Sequence, residues 1–140
     1  MLSYEYIRGL TEGEGTFTFS TNLKLNRKVP AFLIKMASRD KELLEMIRDA
    51  LGIKNRVYIY NHKKKDGSKR LPQAMLIIRE MGSLKNVIVP LFYKKLKGDK
   101  SRQFEEWISK IETDTFVPKL YKLIPILYRS GFYEKINKFD

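Results

Sequence analysis

The sequence predicts an α+β fold, in which a four-stranded antiparallel sheet carries helices on one face and leaves the other face polar and basic. Three observations predict it. Four segments have strand patterns and form two hairpin pairs, each of which follows a helical segment. Apolar and polar residues alternate in the strands, so only one face of the sheet needs covering. The chain has 140 residues, the size of one domain, and its elements follow the order α-β-β-α-β-β-α-α.

The first helix and the first hairpin occupy residues 3–37. Ser3 is a candidate N-cap for a helix that runs to about Gly13. Residues 16–26 alternate in polarity, which predicts a half-buried strand with four apolar residues on its inner face, namely Phe17, Phe19, Leu23 and Leu25. A basic turn at 26–28 precedes a second predicted strand at 31–37, whose inward residues are Phe32, Ile34 and Met36.

The second helix and hairpin have the same pattern. Residues 40–51 predict a helix that Gly52 closes, with an apolar stripe formed by Leu43, Leu44, Ile47 and Leu51. Predicted strands at 56–62 and 73–79 flank a basic loop in which Asp66-Gly67 is a turn signal.

The remaining third of the chain is predicted to be helical. Residues 83–92 form a helix despite Pro90, and residues 101–112 form an amphipathic one whose buried face is Phe104, Trp107, Ile108 and Ile111. The segment from residue 115 onward is expected to form one or two covering helices through Phe116, Leu120, Leu123, Leu127 and Phe132. Its lysines and arginines leave open a second role, in lengthening a contact with nucleic acid.

The composition excludes several classes of protein. The chain has no cysteine, which excludes disulfide scaffolds, thiolate metal sites and cysteine nucleophiles. Its single histidine, His62, lies in a lysine-rich run, so we interpret it as a solvated loop residue. No apolar stretch approaches the roughly 18–20 residues that a membrane span needs, and the first residues do not form a signal peptide. We therefore expect an intracellular protein with no membrane partner.

The charge indicates a polyanionic partner. The chain contains 28 Lys and Arg against 16 Asp and Glu, a net charge of +12, while 43% of its residues are hydrophobic. A folded protein with a basic face is typical of nucleic-acid binding. The predicted strand ends and hairpin tips carry a cluster of cations, namely Lys24, Arg27, Lys28, Lys63, Lys64, Lys65, Lys69 and Arg70. A strand ribbon of this kind can lie along the major groove of duplex DNA.

The most informative segment is Ile7-Arg8-Gly9-Leu10-Thr11-Glu12-Gly13-Glu14-Gly15. Gly9 and Gly13 lie four residues apart, on one face of the helix, where missing side chains allow a second backbone to approach closely. Glu12 and Glu14 lie at the negative end of the helix dipole, where a carboxylate is unfavourable unless a cation compensates it. A divalent metal ion such as Mg²⁺, which binds one or two carboxylates together with phosphate oxygens, is the candidate cation near Glu14.

This segment resembles the LAGLIDADG motif of the homing endonucleases. The nine motif positions correspond to residues 7–15, with glycine, leucine and acidic residues in register, and the order of elements after the motif is also similar to that family. The resemblance extends to about residue 113. It implies the LAGLIDADG homing endonuclease fold and hydrolysis of DNA phosphodiester bonds with Mg²⁺ or another divalent cation such as Mn²⁺, in intron or intein homing.

The chain contains one copy of the motif, which by resemblance implies a homodimer. Two motif helices would pack across a two-fold axis, and the residues placed at this interface are Arg8, Gly9, Glu12 and Gly13. A symmetric dimer presents the same reading surface twice, so the implied target is a long, near-palindromic duplex that is cut on both strands.

The resemblance also implies the residues of the active site. Glu14 corresponds to the metal-binding acid, to which the main-chain carbonyl of Gly13 adds a ligand; Glu12 has either a helix-end role or a ligand role. A lysine before the late helix is expected to stabilise charge at the phosphate, with Lys100 the first candidate and Lys97 the second. An adjacent Asp99-Lys100 pair could instead indicate a restriction-enzyme-like core, but no partner acid is well placed for it.

Outward strand residues are the candidates for contacts with DNA. They are Thr18, Ser20, Asn22, Lys24, Arg27, Lys28 and Lys35 in the first half, and Arg56, Tyr58, Tyr60, Gln73 and Arg79 in the second, in addition to the loop lysines and arginine above. Arginine can bind guanine and glutamine or asparagine can bind adenine through paired hydrogen bonds.

One position departs from the family pattern. Met36 lies where related enzymes often carry glutamine or another polar residue that orders water in the active site, and Ser38, Arg39 and Asp40 follow it. This departure leaves two alternatives to the nuclease: a maturase that binds its host intron RNA, and a DNA-binding protein without catalytic activity on the same fold.

Overall fold

A computed structural model describes residues 1–61, 67, 71–135 and 137–140. The chain forms helix α1 (Tyr4–Glu14), strands β1 (Gly15–Asn22) and β2 (Arg27–Ala37), helix α2 (Lys41–Ala50), strands β3 (Tyr58–Tyr60) and β4 (Gln73–Ile78), short helices α3 (Met81–Ser83) and α4 (Val89–Phe92), and helices α5 (Asp99–Thr113), α6 (Leu123–Ser130) and α7 (Phe132–Lys135). Short 3-10 turns lie at Ser38–Asp40 and Lys119–Lys122, and a π-helical turn at Leu84–Ile88 joins α3 to α4. The predicted order of elements is confirmed.

The four strands form one antiparallel sheet in the order β1-β2-β4-β3. Gly15 pairs with Ile34 and Asn22 with Arg27 in the first hairpin, while Phe32 pairs with Ile78 between the two central strands. Since side chains alternate between the faces of a strand, this register fixes which residues face the helices and which face outward.

The core lies between the sheet and the helices, as the alternation predicts. Phe32 and Ile34 are fully buried. The rings of Phe92 in α4 and Phe104 in α5 pack edge to face on Phe17, and the ring of Trp107 packs on it at a tilt. The Trp107 indole Nε1 also donates a hydrogen bond of 2.8 Å to the Thr18 carbonyl, which ties α5 to the edge strand β1. These contacts hold the start of α5 beside the end of α1.

Helix α1 joins β1 without a loop, and this junction needs a glycine. Ser3 caps the helix by accepting a hydrogen bond of 3.0 Å from the Tyr6 N–H, as predicted. At the other end, a Cβ on Gly15 would lie 2.5 Å from Thr11 Cγ2 and 3.2 Å from the Phe32 ring. The missing side chain therefore allows the end of α1 to pack directly on the sheet.

The first hairpin is shorter than predicted. Strand β1 ends at Asn22, and residues 23–26 form the turn, so Leu23 is 87% exposed rather than inward-facing. Leu25 is also exposed, and Asn26 takes a positive φ of 50° that asparagine tolerates better than most residues. The alternation of apolar and polar residues continues beyond Asn22 and Arg27, the last pair of the hairpin. Beyond that pair it does not indicate a strand.

The helical segment that contains Pro90 changes its hydrogen bonding along its length. The Val89 N–H bonds to the Leu84 carbonyl, one residue further back than in an α-helix. Proline lacks an N–H and cannot make the usual bond to the fourth residue before it, so a π-turn at this point accommodates it.

The C-terminal segment covers the helical side, as predicted. Of the predicted residues Leu127 packs against the core, and the other contacts come from different residues. The buried ones are Val117, Ile124, Tyr128, Tyr133 and Phe139, whereas Phe116, Leu120, Leu123 and Phe132 are exposed. Lys122 Nζ donates to the carbonyls of Ile111, Glu112 and Asp114 at 2.6, 3.2 and 2.6 Å, and thereby caps the C-terminus of α5. Among the described helices, none is both long and apolar enough to span a bilayer.

Candidate functional site

Glu14 is the last residue of α1 and is exposed. Its carboxylate makes no hydrogen bond or ion pair with the parts of the chain that the structure describes. The Gly13 carbonyl lies in the same last turn, where main-chain carbonyls lack partners within the helix. Two hard oxygen donors thus lie side by side at the negative end of the helix dipole, an arrangement that favours a bound cation.

Glu12 has a different environment. Its Oε2 accepts a hydrogen bond of 2.6 Å from the Lys97 N–H, and its Oε1 accepts one of 3.2 Å from the Gly98 N–H. These two residues directly precede α5, so the carboxylate fixes the start of that helix against the motif. Of the two roles left open by the sequence, this geometry favours the helix-end role over metal ligation.

Lys100 lies in the first turn of α5 and points to the end of the motif. Its Nζ donates to the Gly15 carbonyl at 2.6 Å and to Gln103 Oε1 at 3.3 Å, and the residue is half-buried. The carbonyl belongs to the residue that follows Glu14, so this ammonium is anchored one peptide away from the candidate metal ligand. Lys97 is exposed, and its main chain rather than its side chain takes part through Glu12.

Gln103 is a residue of this site that the sequence did not reveal. Its Nε2 donates to Asp99 Oδ2 at 3.1 Å while its Oε1 accepts from Lys100, so it links the two charged groups. A hydrogen-bonded Arg102 guanidinium lowers the pKa of Asp99 to about 2, so this carboxylate remains ionised. Asp99 is thus engaged by its own helix, which agrees with its rejection as a catalytic acid.

The exposed face of α1 contains both motif glycines. Apart from the adjoining residues and the backbone of α1 itself, no atom of the described chain lies within 4 Å of a Cβ placed on Gly9 or Gly13. Arg8 faces the other way and is only 6% exposed; its Nε donates to the Leu91 carbonyl at 2.7 Å and its Nη2 to the Phe139 carbonyl at 2.5 Å. The placement of Arg8 at a dimer interface is therefore corrected, because its guanidinium is bound inside the subunit.

The outer face of the sheet collects most of the residues predicted to contact DNA. The strand register places on this face Thr18, Ser20, Asn22, Arg27, Lys35, Tyr58, Tyr60 and Gln73. Arg79 Nη1 reaches across β2 to the Ser20 hydroxyl at 3.2 Å, Lys35 Nζ lies 5.8 Å from the centre of the Tyr60 ring, and Arg56 Cζ lies 5.3 Å from that of Tyr58. These contacts hold cations and aromatic rings in place on the outer face of the sheet without a bound partner.

Lys28 does not belong to this surface. It pairs with Thr21, on the face opposite to that of Ser20, and its Nζ lies 3.1 Å from Asp114 Oδ2. The pKa of Asp114 is lowered by the Phe116 N–H and by Lys28. The Lys28 ammonium ties β2 to the C-terminal segment, and a contact of this residue with DNA stays a prediction.

The remaining candidates are placed as follows. Lys24 is exposed in the turn of the first hairpin. The predicted contacts at Lys63, Lys64, Lys65, Lys69 and Arg70 lie outside the described residues, as does His62. Met36 packs against the core from the inner face of β2. Within the described residues, no three acidic or histidine side chains converge as a metal-binding cluster.

Helix α1 thus ends in an exposed glutamate, Lys100 is anchored beside it, and cationic and polar side chains lie on the outer face of the sheet. The sequence model of the LAGLIDADG endonucleases matches residues 7–111, which is more than half of the chain. The chain therefore belongs to the LAGLIDADG endonuclease family. Comparison with curated protein sequences gives no significant match.

Solved structures of homing endonucleases have a similar fold. I-TnaI is 28% identical with a TM-score of 0.57, and the match covers 76% of this chain and 69% of that one. I-GzeII in complex with its DNA target is 23% identical with a TM-score of 0.61, covering 99% of this chain and 45% of that one. I-LtrWI bound to target DNA is 23% identical with a TM-score of 0.61, covering 78% and 36%. The chain thus spans less than half the length of the last two.

Proposed function

We propose that this chain is a site-specific DNA endonuclease that acts as a homodimer and makes a double-strand break at a long, near-palindromic site, in the manner of intron or intein homing. The observation that carries the proposal is the arrangement at the end of α1. There the Glu14 carboxylate is exposed and unpaired within the described chain, Lys100 is anchored on the next carbonyl, and the basic face of the sheet continues from the same junction. I-GzeII and I-LtrWI, which share the fold, were solved with DNA targets.

The dimer is supported by the motif and by the surface of α1. The sequence contains one copy of the motif, and both motif glycines lie on the exposed face of that helix. The exposed glycines of α1 offer a flat surface on which a second α1 can pack with close contact of the two backbones. A two-fold axis at this surface would bring two Glu14 carboxylates together, one for each DNA strand.

The residues present fit a divalent cation of the hard type. Mg²⁺ prefers oxygen ligands and needs few of them from protein when phosphate and water supply the others, and Glu14 with the Gly13 carbonyl is such a partial donor set. When bound, Mg²⁺ or Mn²⁺ would supply Lewis acidity for attack of water on the phosphodiester and would stabilise the leaving 3′ oxygen. The chain itself would orient this reaction, since Glu12 fixes the start of α5 and Lys100 holds positive charge beside the phosphate.

The role of Lys100 gives a separate prediction. We expect Lys100→Met to slow single-turnover cleavage roughly a hundredfold, because a positioned cation that stabilises transition-state charge is worth this much. We expect Lys97→Met to change the rate only slightly, since it retains the N–H that binds Glu12. Equal effects of the two substitutions on the cleavage rate would contradict the assignment of Lys100.

A selection from a randomised duplex library tests the proposed function as a whole. We expect the wild-type protein to enrich a two-fold related sequence in Ca²⁺ and to release cut products of the same sequence in Mg²⁺. Sequence-selective binding without cleavage would reject the nuclease in favour of a DNA-binding protein without catalysis. Preference for structured intron RNA over every duplex would reject it in favour of a maturase.

A further inference from the structure

The outer face of the sheet is not uniformly polar. Leu33 pairs with Ile77 across the two central strands, and Met75 lies two residues from Ile77 on the same face. All three are partly exposed, and none belongs to the core or packs against it, whereas their neighbours along each strand, such as Ile34 and Leu76, are fully buried. Leu33, Met75 and Ile77 therefore form a continuous apolar patch that faces outward.

Polar and charged residues surround this patch. Thr16 pairs with Leu33 on one side, while Lys35 and Tyr58 pair with Met75 on the other. Arg79 follows two residues after Ile77 and reaches the Ser20 hydroxyl on β1. Two cations, Lys35 and Arg79, and two neutral polar residues thus surround the patch. The cations complement the phosphate groups beside a groove of DNA better than the apolar surface of a typical protein partner.

The dimensions of the patch match a short stretch of base pairs. Alternate residues of one strand are about 7 Å apart and paired residues on neighbouring strands about 5 Å, so the three side chains cover roughly two base-pair steps. They have no hydrogen-bonding groups beyond the main chain, so they cannot bind the donors and acceptors of guanine, cytosine or adenine. The C5-methyl group of thymine is the one apolar group at the major-groove edges of the bases.

We propose that Leu33, Met75 and Ile77 are specificity-determining residues that select thymine methyl groups within each half of the target. This inference rests on the proposed function, because it assumes that the outer face of the sheet enters the major groove. The polar residues around the patch then contact phosphates and neighbouring bases, while the patch excludes water from the methyl groups.

Deoxyuridine gives a direct test, because it pairs as thymine does and lacks only the methyl group. Starting from the duplex enriched by the wild-type protein in Ca²⁺, each thymine is replaced in turn by deoxyuridine and the affinity is measured. We expect about two adjacent positions in each half-site at which the affinity falls roughly fourfold for each methyl group removed, the value expected for one buried methyl-sized group. Deoxyuridine at the other thymines should change the affinity little.

The variants Leu33→Ala and Ile77→Ala connect this effect to the patch. Each should bind the thymine duplex more weakly and should distinguish it less from the matching deoxyuridine duplex. Leu120→Ala, which removes an equally large exposed apolar side chain from the C-terminal segment, should retain the full discrimination. Discrimination that survives in Leu33→Ala and Ile77→Ala would overturn the assignment.

The outcomes also separate this inference from the proposed function. If a duplex is enriched but deoxyuridine has no effect at any position, the inference is overturned and the endonuclease proposal stands. If Leu33→Lys in addition changes the oligomeric state, the patch is a contact between copies of the chain and not a base-reading surface. If no duplex is enriched, both proposals are rejected.

Discussion

Glu14→Gln is expected to abolish DNA cleavage while the protein still binds its target. The substitution keeps the shape of the side chain and removes the negative charge that would hold a divalent cation at the end of α1. Because metal assistance supplies several kcal/mol of transition-state stabilisation, the single-turnover rate should fall roughly a thousandfold or more. The affinity for the same duplex in Ca²⁺ should stay within a few-fold of the wild-type value. A carboxylate beside the phosphates repels them, so its replacement by a neutral amide does not remove an attractive contact with DNA.

The matched control is Glu42→Gln, at the first turn of α2. Glu42 is also an exposed glutamate at a helix terminus, but it lies on the element that follows β2 and not at the motif. We expect it to cleave at nearly the wild-type rate. Glu14 would lose its assignment if its glutamine variant cleaved as fast as the control, or if it lost binding and cleavage together.

Sequence reasoning located the elements that depend on local chemistry. The Ser3 cap, the alternation in β1 and β2, and the apolar face of α5 each follow from residues close together in the chain, and the structure contains all of them. The prediction that Lys100 lies near the motif rests on the family resemblance. No local pattern indicates it, since Lys100 and its partner Gly15 are 85 residues apart in the chain.

Two expectations differ from the structure for physical reasons. The sequence predicts Lys28 in a turn at 26–28, but the turn lies at 23–26. Lys28 therefore belongs to β2, where alternation places it on the face opposite to that of Ser20. The family resemblance places Arg8 at a dimer interface together with the other motif residues, whereas its guanidinium is buried. The carbonyls of Leu91 and Phe139 that bind it lie 83 and 131 residues away, and no local pattern reveals them.

Gly9→Leu is expected to dissociate the proposed dimer and to abolish double-strand cleavage. Within one subunit the new side chain meets open space, and leucine favours a helix over glycine by about 1 kcal/mol, so the folded monomer should be at least as stable as before. Between two α1 helices in close contact, the same side chain would hold the backbones apart. We expect the dimer dissociation constant to rise roughly a hundredfold or more, as for central residues of tightly packed interfaces.

Gly82→Leu is the control that separates an interface from a helix effect. Gly82 is likewise exposed in a helical segment, α3, with no described atom within 4 Å of an added Cβ. At a concentration where the wild-type protein is monomeric, both variants should therefore melt at or above the wild-type temperature. At a concentration where the wild-type protein is dimeric, sedimentation velocity should find monomers only for Gly9→Leu. Since each subunit offers a single Glu14, a monomer lacks the second acid at the axis and should leave the selected duplex uncut on at least one strand. A Gly9→Leu protein that remains dimeric and cuts both strands would place the two-fold axis elsewhere on the molecule.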